Sequence, residues 1–482
     1  MIKKIVCAVC AAAMMISVCG CGNKSADTDD GVPTLVWFVP GDSQRDTAAV
    51  MEEVNKLIEP KIGAKLDLKM IDEGAFSEKM SMKMASDEAF DLCFTGYVNQ
   101  YKSGIDVGGF LELTDLIEKY GQDLKKDLPD YVLESAKEKG GIYAIPNMQV
   151  MANVEGVFFF EEYANKYGIK SGAEYKDITE MEPYFEKVKQ DYPNVYPVAD
   201  SPVGQYLFDY SVVNQKPNVY VSDKEENGYK LQSALDMKEY EQGLKAAKSW
   251  YDKGYLRSDI DTAVNNRTED LRAGKYASFL GRWKPGIEDD HKNMYGQKTV
   301  FVSSGSKRLT VARDTMTAIS RTSKNPEKAM QFLNLINTDK ELYNLICYGI
   351  EGKHYEKLDG EYIRPIENSG YRQLACWKLG NQFNAYLLEG QEPDIWEQTR
   401  KLNDSASKAS TFGFSFDETP VKSEEAQCLG NQIDNEYNGI PYGSSDYTKL
   451  LSEYKSRLEN AGLDRIIEEA QRQLDEWVKE NK

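Results

Sequence analysis

Thr34-Leu-Val-Trp-Phe-Val39 is an unbroken apolar run, rich in β-branched and aromatic residues and closed by Pro40-Gly41. A strand buried on both faces of a parallel sheet has this composition. Asp42 or Ser43 can cap a helix after it, and Ala49, Val50, Val54, Leu57 and Ile58 fall on one helical face. Ala64, Leu66, Leu68 and Met70 then alternate as a second strand, and Phe76, Met80 and Met84 form a second helical stripe. Asp91-Leu-Cys-Phe-Thr-Gly96 is a third strand ending in small residues. Strand, helix, strand, helix, strand makes a doubly wound α/β unit, which binds ligands off the carboxyl ends of its strands. Those ends are Trp37 to Asp42 and Thr95 to Tyr97.

Further along, Gly140-Gly-Ile-Tyr-Ala-Ile-Pro146 is a turn feeding a strand, and Val157 to Phe160 opens a second series. A helix runs from there to Tyr167, stopped by Gly168. Helices are also expected over Thr179 to Gln190 and Leu235 to Lys253. Ala277 to Leu280 is a strand that runs into a loop, Gly281-Arg-Trp-Lys-Pro-Gly286. From Thr315 a strand returns to Ser320, followed by a capped turn and a helix through Ile336. The stretch from Tyr447 to Lys482 is charged and helical, with Leu451, Tyr454, Leu458 and Ile466 as its buried positions.

Upstream, Lys3 and Lys4 precede an apolar run from Ile5 to Val18, which makes an export signal. The run is shorter than the ~20 residues that span a bilayer as a helix. Val18-Cys19-Gly20-Cys21 resembles a bacterial lipobox, which implies that Cys21 becomes a lipidated N-terminus. The chain is then expected outside the cytoplasmic membrane, anchored by lipid through the polar tether that follows.

The 482-residue chain carries 41% hydrophobic residues and a net charge of -19. Such a composition supports large cores, and its acidity repels phosphate backbones, so nucleic acid is not an expected partner. Without the signal and Cys21, four cysteines remain: Cys93, Cys347, Cys376 and Cys428. Their apolar surroundings read as buried free thiols rather than disulfides. With only His291 and His354 present, histidine triads and multi-histidine metal centres are poorly served, and neither metal nor cofactor is expected. No nucleophile elbow, P-loop or dinucleotide fingerprint occurs.

Gly141-Ile-Tyr-Ala-Ile-Pro146 and Thr317-Ala-Ile-Ser-Arg-Thr-Ser-Lys-Asn-Pro-Glu-Lys-Ala-Met-Gln-Phe-Leu333 resemble the lobe crossings of extracellular solute-binding proteins of ABC importers, in their sugar-type family. Tyr348-Gly-Ile-Glu-Gly-Lys-His-Tyr355 and Gly413-Phe-Ser-Phe-Asp417 resemble a lipoprotein subgroup with an extra C-terminal region. The resemblance implies a type II periplasmic-binding-protein-like fold: two α/β lobes joined by a hinge, with ligand trapped between them. It divides the chain into a signal peptide (1–20), a tether (21–33), lobe one (34–146), lobe two (147–313) and a return to lobe one (314–365). Residues 366–482 would then complete lobe two and add a helical extension.

Sugars are held by aromatic faces against their C–H surfaces and by planar polar groups that fork across hydroxyls. Trp37, Tyr97, Trp283 and Trp377 are the aromatic candidates, with Trp283 foremost because it sits in a glycine- and proline-flanked loop. Asp42, Asn147, Arg282 and Asn381 are the polar ones. The expected function is to capture a solute, an oligosaccharide above all, by lobe closure and to deliver it to a membrane permease, without catalysis and as a monomer. A binder of peptides or other organic solutes and an exported carbohydrate-active enzyme are the rivals.

Overall fold

The computed structural model describes residues 31–214, 219–222, 229–263, 266–309, 313–373, 375–432 and 435–481. The expected signal peptide, Cys21 and most of the tether lie outside them. Two sheets organise the rest. In the first, Thr34–Pro40 lies between Lys65–Ile71 and Leu92–Gly96, parallel to both. Thr315–Ile319 then pairs antiparallel with Leu92–Gly96, and Ala144–Pro146 closes the edge. Leu35, Trp37 and Val39 are buried, and so are Val50, Val54 and Ile58 on the helix Thr47–Ile62 that covers them. That helix starts five residues beyond Asp42, and Gly63 ends it in the left-handed conformation. Asp42 is therefore exposed and caps nothing. Asp46 precedes the helix instead, and hydrogen bonds from Lys353, Arg45 and His354 hold its carboxyl well below the usual range.

The second sheet is built around Ala152–Phe160. It pairs antiparallel with Tyr276–Trp283, Thr299–Ser303 and Arg308–Leu309, and Tyr196–Val198 lies beyond Tyr276–Trp283. Phe158, Phe159 and Phe160 are all buried, because a strand covered on both faces has no polar side to show. Tyr276–Trp283 runs three residues past the expected strand end. Gly281 sits opposite Gly156, and a Cβ on Gly281 would stand only 3.2 Å from the Phe158 ring. The glycine that reads as a loop marker is in fact a point of close strand packing.

Among the described residues, three segments join the sheets: residues 147–151, Arg313 and Asp314 leading into Thr315–Ile319, and the helix Ile395–Ser405 leading to Ser407–Lys408, which pairs with Arg308–Leu309. Asn403 on that helix is buried. Its Oδ1 accepts from the Met151 and Ala152 amides at 2.8 and 3.1 Å, and its Nδ2 donates to the Gln149 carbonyl at 2.8 Å. Gln149 in turn donates to Thr315 Oγ1 at 2.7 Å, so the crossings are tied to one another.

Residues 366–388 were expected with lobe two, yet they lie against lobe one. Tyr371 donates to the Ile346 carbonyl at 2.6 Å, and Leu387–Leu388 extends a small sheet with Tyr362–Pro365. The C-terminal helices Tyr447–Asn460 and Leu463–Asn481 pack on an excursion of lobe two that carries Val219, Val221 and Leu231. Leu458 and Ile466 are buried there and Leu451 and Tyr454 half-buried. Cys93, Cys347, Cys376 and Cys428 are buried free thiols. No helix among the described residues is long and apolar enough to cross a membrane.

Candidate functional site: the cleft between the lobes

Gly96 ends the third strand at φ 144°, and a Cβ there would meet the Asp314 carbonyl oxygen at 2.0 Å. Only glycine lets the strand end press against the hinge, and the next amide, Tyr97, donates to that same oxygen at 2.8 Å. Beside this junction opens a cavity of about 390 Å³. Lobe one contributes Gly96 and Tyr101, the hinge Arg313 and Asp314, and lobe two Glu155, Arg282 and Arg308, with Phe208 and Tyr210 as ring surfaces. Phe412 and Phe414 add two more rings from the C-terminal region.

The polar floor is charged and internally wired. Glu155 meets the Arg282 guanidinium at 3.3 Å and accepts from Gln205 Nε2 at 3.1 Å. Burial raises the carboxyl pKa of Glu155, and Arg282 opposes that rise. Asp314 is raised for the same reason, and Arg282 again works against it. The Arg282 side chain is 63% exposed, so its remaining donors face solvent in the cleft. Arg308 donates to the Phe208 carbonyl and, at 3.1 Å, to Ser211 Oγ. Arg313 lies 4.8 Å over the Tyr101 ring, pairs with Glu138 at 2.7 Å and donates to the Gly413 carbonyl. Its Nε is buried without a hydrogen-bond partner among the described residues, an arrangement that costs ~1–3 kcal/mol.

A second feature lies on lobe one. Tyr97 and Trp377 stand 5.9 Å apart with planes tilted by 42°, and Tyr97 is 41% exposed. The Lys378 ammonium sits 5.5 Å from one ring centre and 5.3 Å from the other and pairs with Glu73 at 2.7 Å. Glu73 also accepts from the Tyr97 hydroxyl, whose pKa is raised by burial first and then by Glu73. Next to these groups lies a depression of about 810 Å³ that includes Asp42, Glu73 and Lys378.

The expected site residues therefore separate. Asp42, Tyr97 and Trp377 gather around the lobe-one shelf, and Arg282 stands in the cleft opposite. Asn147 is buried behind the shelf, donating to the Lys378 carbonyl at 2.7 Å and accepting from the Gly380 amide at 3.0 Å. It positions Trp377 and Lys378 and shows no polar atom to a solute. Asn381 is likewise buried, and its Oδ1 caps the turn at Phe383. Trp37 is fully buried and packs edge-on against Phe332 at 5.4 Å, so it is core. Trp283 points away from the cleft: strand alternation sends Arg282 to the cleft face and Trp283 to the other. There it stacks on Phe301 at 6.2 Å and donates to Glu288 at 3.0 Å. Glu155, Arg313, Tyr101, Phe208, Tyr210 and Phe412 escaped the sequence reading. Only their types, aromatic or charged beside strand ends, could have signalled them.

Two lobes of α/β structure, three joining segments and a cleft at the hinge define a type II periplasmic binding protein. The chain belongs to the bacterial extracellular solute-binding proteins, matching that family over residues 41–342. Residues 410–479 match a domain of unknown function, DUF3502. A carbohydrate ABC transporter substrate-binding protein of Streptococcus pneumoniae serotype 4 is 29% identical, over 98% of this chain and 97% of its own length. The crystal structure of the N-glycan transport solute binding protein NgtS from S. pneumoniae aligns at 26% identity and a TM-score of 0.79, covering 93% of this chain and 100% of that one. Its complex with Man1GlcNAc aligns at 25% identity and a TM-score of 0.67, over the same shares of the two chains. The complex with Man5GlcNAc aligns at 26% and 0.65, covering 93% and 99%.

Proposed function

We propose that the chain is the substrate-binding protein of an ABC importer, capturing an oligosaccharide between its lobes and presenting it to a membrane permease. The observation that carries this reading is the composition of the cleft. Ring faces from both lobes and the C-terminal region surround guanidinium and carboxylate groups, the pairing that a polyhydroxylated ring with apolar C–H faces requires. The shelf of Tyr97 and Trp377 extends the aromatic surface, which suits a chain of sugars rather than one ring. The named ligands of NgtS, Man1GlcNAc and Man5GlcNAc, support a glycan of this size class.

Capture works by closure. The first NgtS structure superposes on this chain at a TM-score of 0.79, against 0.67 for its complex with Man1GlcNAc and 0.65 for its complex with Man5GlcNAc. That difference supports lobes standing apart here and drawing together on a ligand. The protein performs no chemistry on its solute, in keeping with relatives named as binding proteins. Cys21 anchors it by lipid to the outer face of the cytoplasmic membrane, and Cys21→Ser should shift it from the membrane to the soluble fraction. Since one acyl chain holds a protein only marginally, several are needed.

The test is a thermal-shift screen with calorimetry over Man1GlcNAc, Man5GlcNAc, cello-, xylo-, chito- and galacturono-oligosaccharides and a peptide mixture. A glycan at ~100 times its Kd should add about 2.7 kcal/mol of stability. Stabilisation by peptides alone, or release of shorter sugars on prolonged incubation, would overturn the assignment.

A further inference from the structure

The loop Thr411 to Ser415 stands in the cleft, although it belongs to the C-terminal region of unknown function and not to either sheet. It is held from three sides and lies close against a fourth. Ser407–Lys408 pairs with Arg308–Leu309, and the Ala409 amide donates to the Leu309 carbonyl at 3.2 Å, which ties the loop's start to lobe two. The Gly413 carbonyl accepts from the hinge residue Arg313, the same guanidinium that pairs with Glu138 and covers Tyr101. Gly413 itself has φ 92°, and a Cβ there would sit 3.2 Å from the Ser135 carbonyl oxygen of lobe one. Beyond the loop, Gln473 on the last helix exchanges two hydrogen bonds of 2.9 Å with the Asp417 backbone, and Phe414 packs edge-on against Trp477.

A segment bonded to lobe two, the hinge and its own helices, and lying close against lobe one, is a standing surface that travels with lobe two rather than a lid. It presents the half-buried Phe412, whose ring meets Tyr131 at 6.1 Å, and the half-buried Thr411 to the same cavity as Glu155, Arg282 and Tyr210. A core aromatic would be sealed and a solvating loop would carry charge; these residues do neither.

We propose that the C-terminal region is a third wall of the binding cleft: the loop Thr411–Ser415 contacts the bound oligosaccharide, and the Phe412 ring stacks on one of its sugars. This rests on the solute-binding reading above. It gives the domain of unknown function a role in affinity and in which glycan fits the hinge end of the cleft.

The test has two arms on the full chain, with the best-bound glycan of the panel above as probe. In calorimetry, Phe412→Leu keeps apolar bulk but removes the flat face, and should weaken binding by about two- to tenfold with an unchanged melt. In hydroxyl-radical footprinting of the unmodified protein, Phe412 and Phe414 should become protected at glycan saturation. This arm stands even where a substitution at 412 fails to fold. Protection at Tyr97 with none at Phe412 or Phe414, or wild-type affinity in both Phe412→Leu and Phe412→Ala, overturns the third wall alone. A wild-type protein that holds none of the glycans overturns the oligosaccharide reading and the wall with it.

Discussion

Tyr97 shows a large part of its ring to solvent at the end of a strand, whereas Trp283 spends its ring on Phe301 and its indole N–H on Glu288. Their substitutions should separate cleanly. Tyr97→Ala is expected to weaken glycan binding about tenfold or more, as loss of a stacking contact does, with little change in a denaturant melt. Trp283→Ala should cost about 2 kcal/mol of stability with affinity held within twofold, because what it loses is packing. Calorimetry and the melt on both variants check this pair. His291 gives a pH prediction. Burial among Phe158, Phe279 and Tyr295 pushes its pKa down to about 4, and it hydrogen-bonds Thr299 at 2.8 Å. The unfolded chain takes up this proton near pH 6.5, so the contribution is complete above pH 6.5 and is lost as pH falls toward 4. The loss is on the order of 2 kcal/mol after solvent screening, and His291→Asn should flatten that part of the stability–pH curve. At this scale residue types were legible and directions were not. A tryptophan beside glycine and proline reads as a presented ring until the register with Val154 turns it to the covered face.

The elements that meet at the hinge depend on a few buried amides. Asn403 satisfies two backbone N–H groups of the first crossing, and Asn403→Ala leaves both desolvated without an acceptor. That should cost about 2 kcal/mol or more, read as a lower denaturant midpoint. Asn147→Ala should instead loosen the segment bearing Trp377 and Lys378 and lower glycan affinity several-fold, since Asn147 grips it at two points. Strands with long apolar runs, such as Thr34–Pro40, were readable because burial on both faces leaves one composition. Short strands of mixed polarity, such as Tyr210–Asn214 and Val219–Ser222, were not, because pairing and not periodicity makes them strands. Residues 366–388 misled for a related reason. Their attachment to lobe one comes through Tyr371, Leu379 and Phe383 entering its core, and sequence order says nothing of that.

For the whole molecule, the alternation of strand and helix broken near Pro146 and resumed near Thr315 fits two lobes, and the resemblance to solute-binding proteins supplied the crossings between them. The cleft's chemistry was not readable, because its walls come from residues as distant as Gly96, Glu155, Arg313 and Phe412. Capture requires those walls to move as bodies about the three joining segments and to meet around a solute. Small-angle scattering of the protein with and without the best-bound glycan measures that directly. At saturation the radius of gyration should fall and the profile should lose the signature of an open cleft. An unchanged profile at a saturation verified by calorimetry would contradict capture by lobe closure.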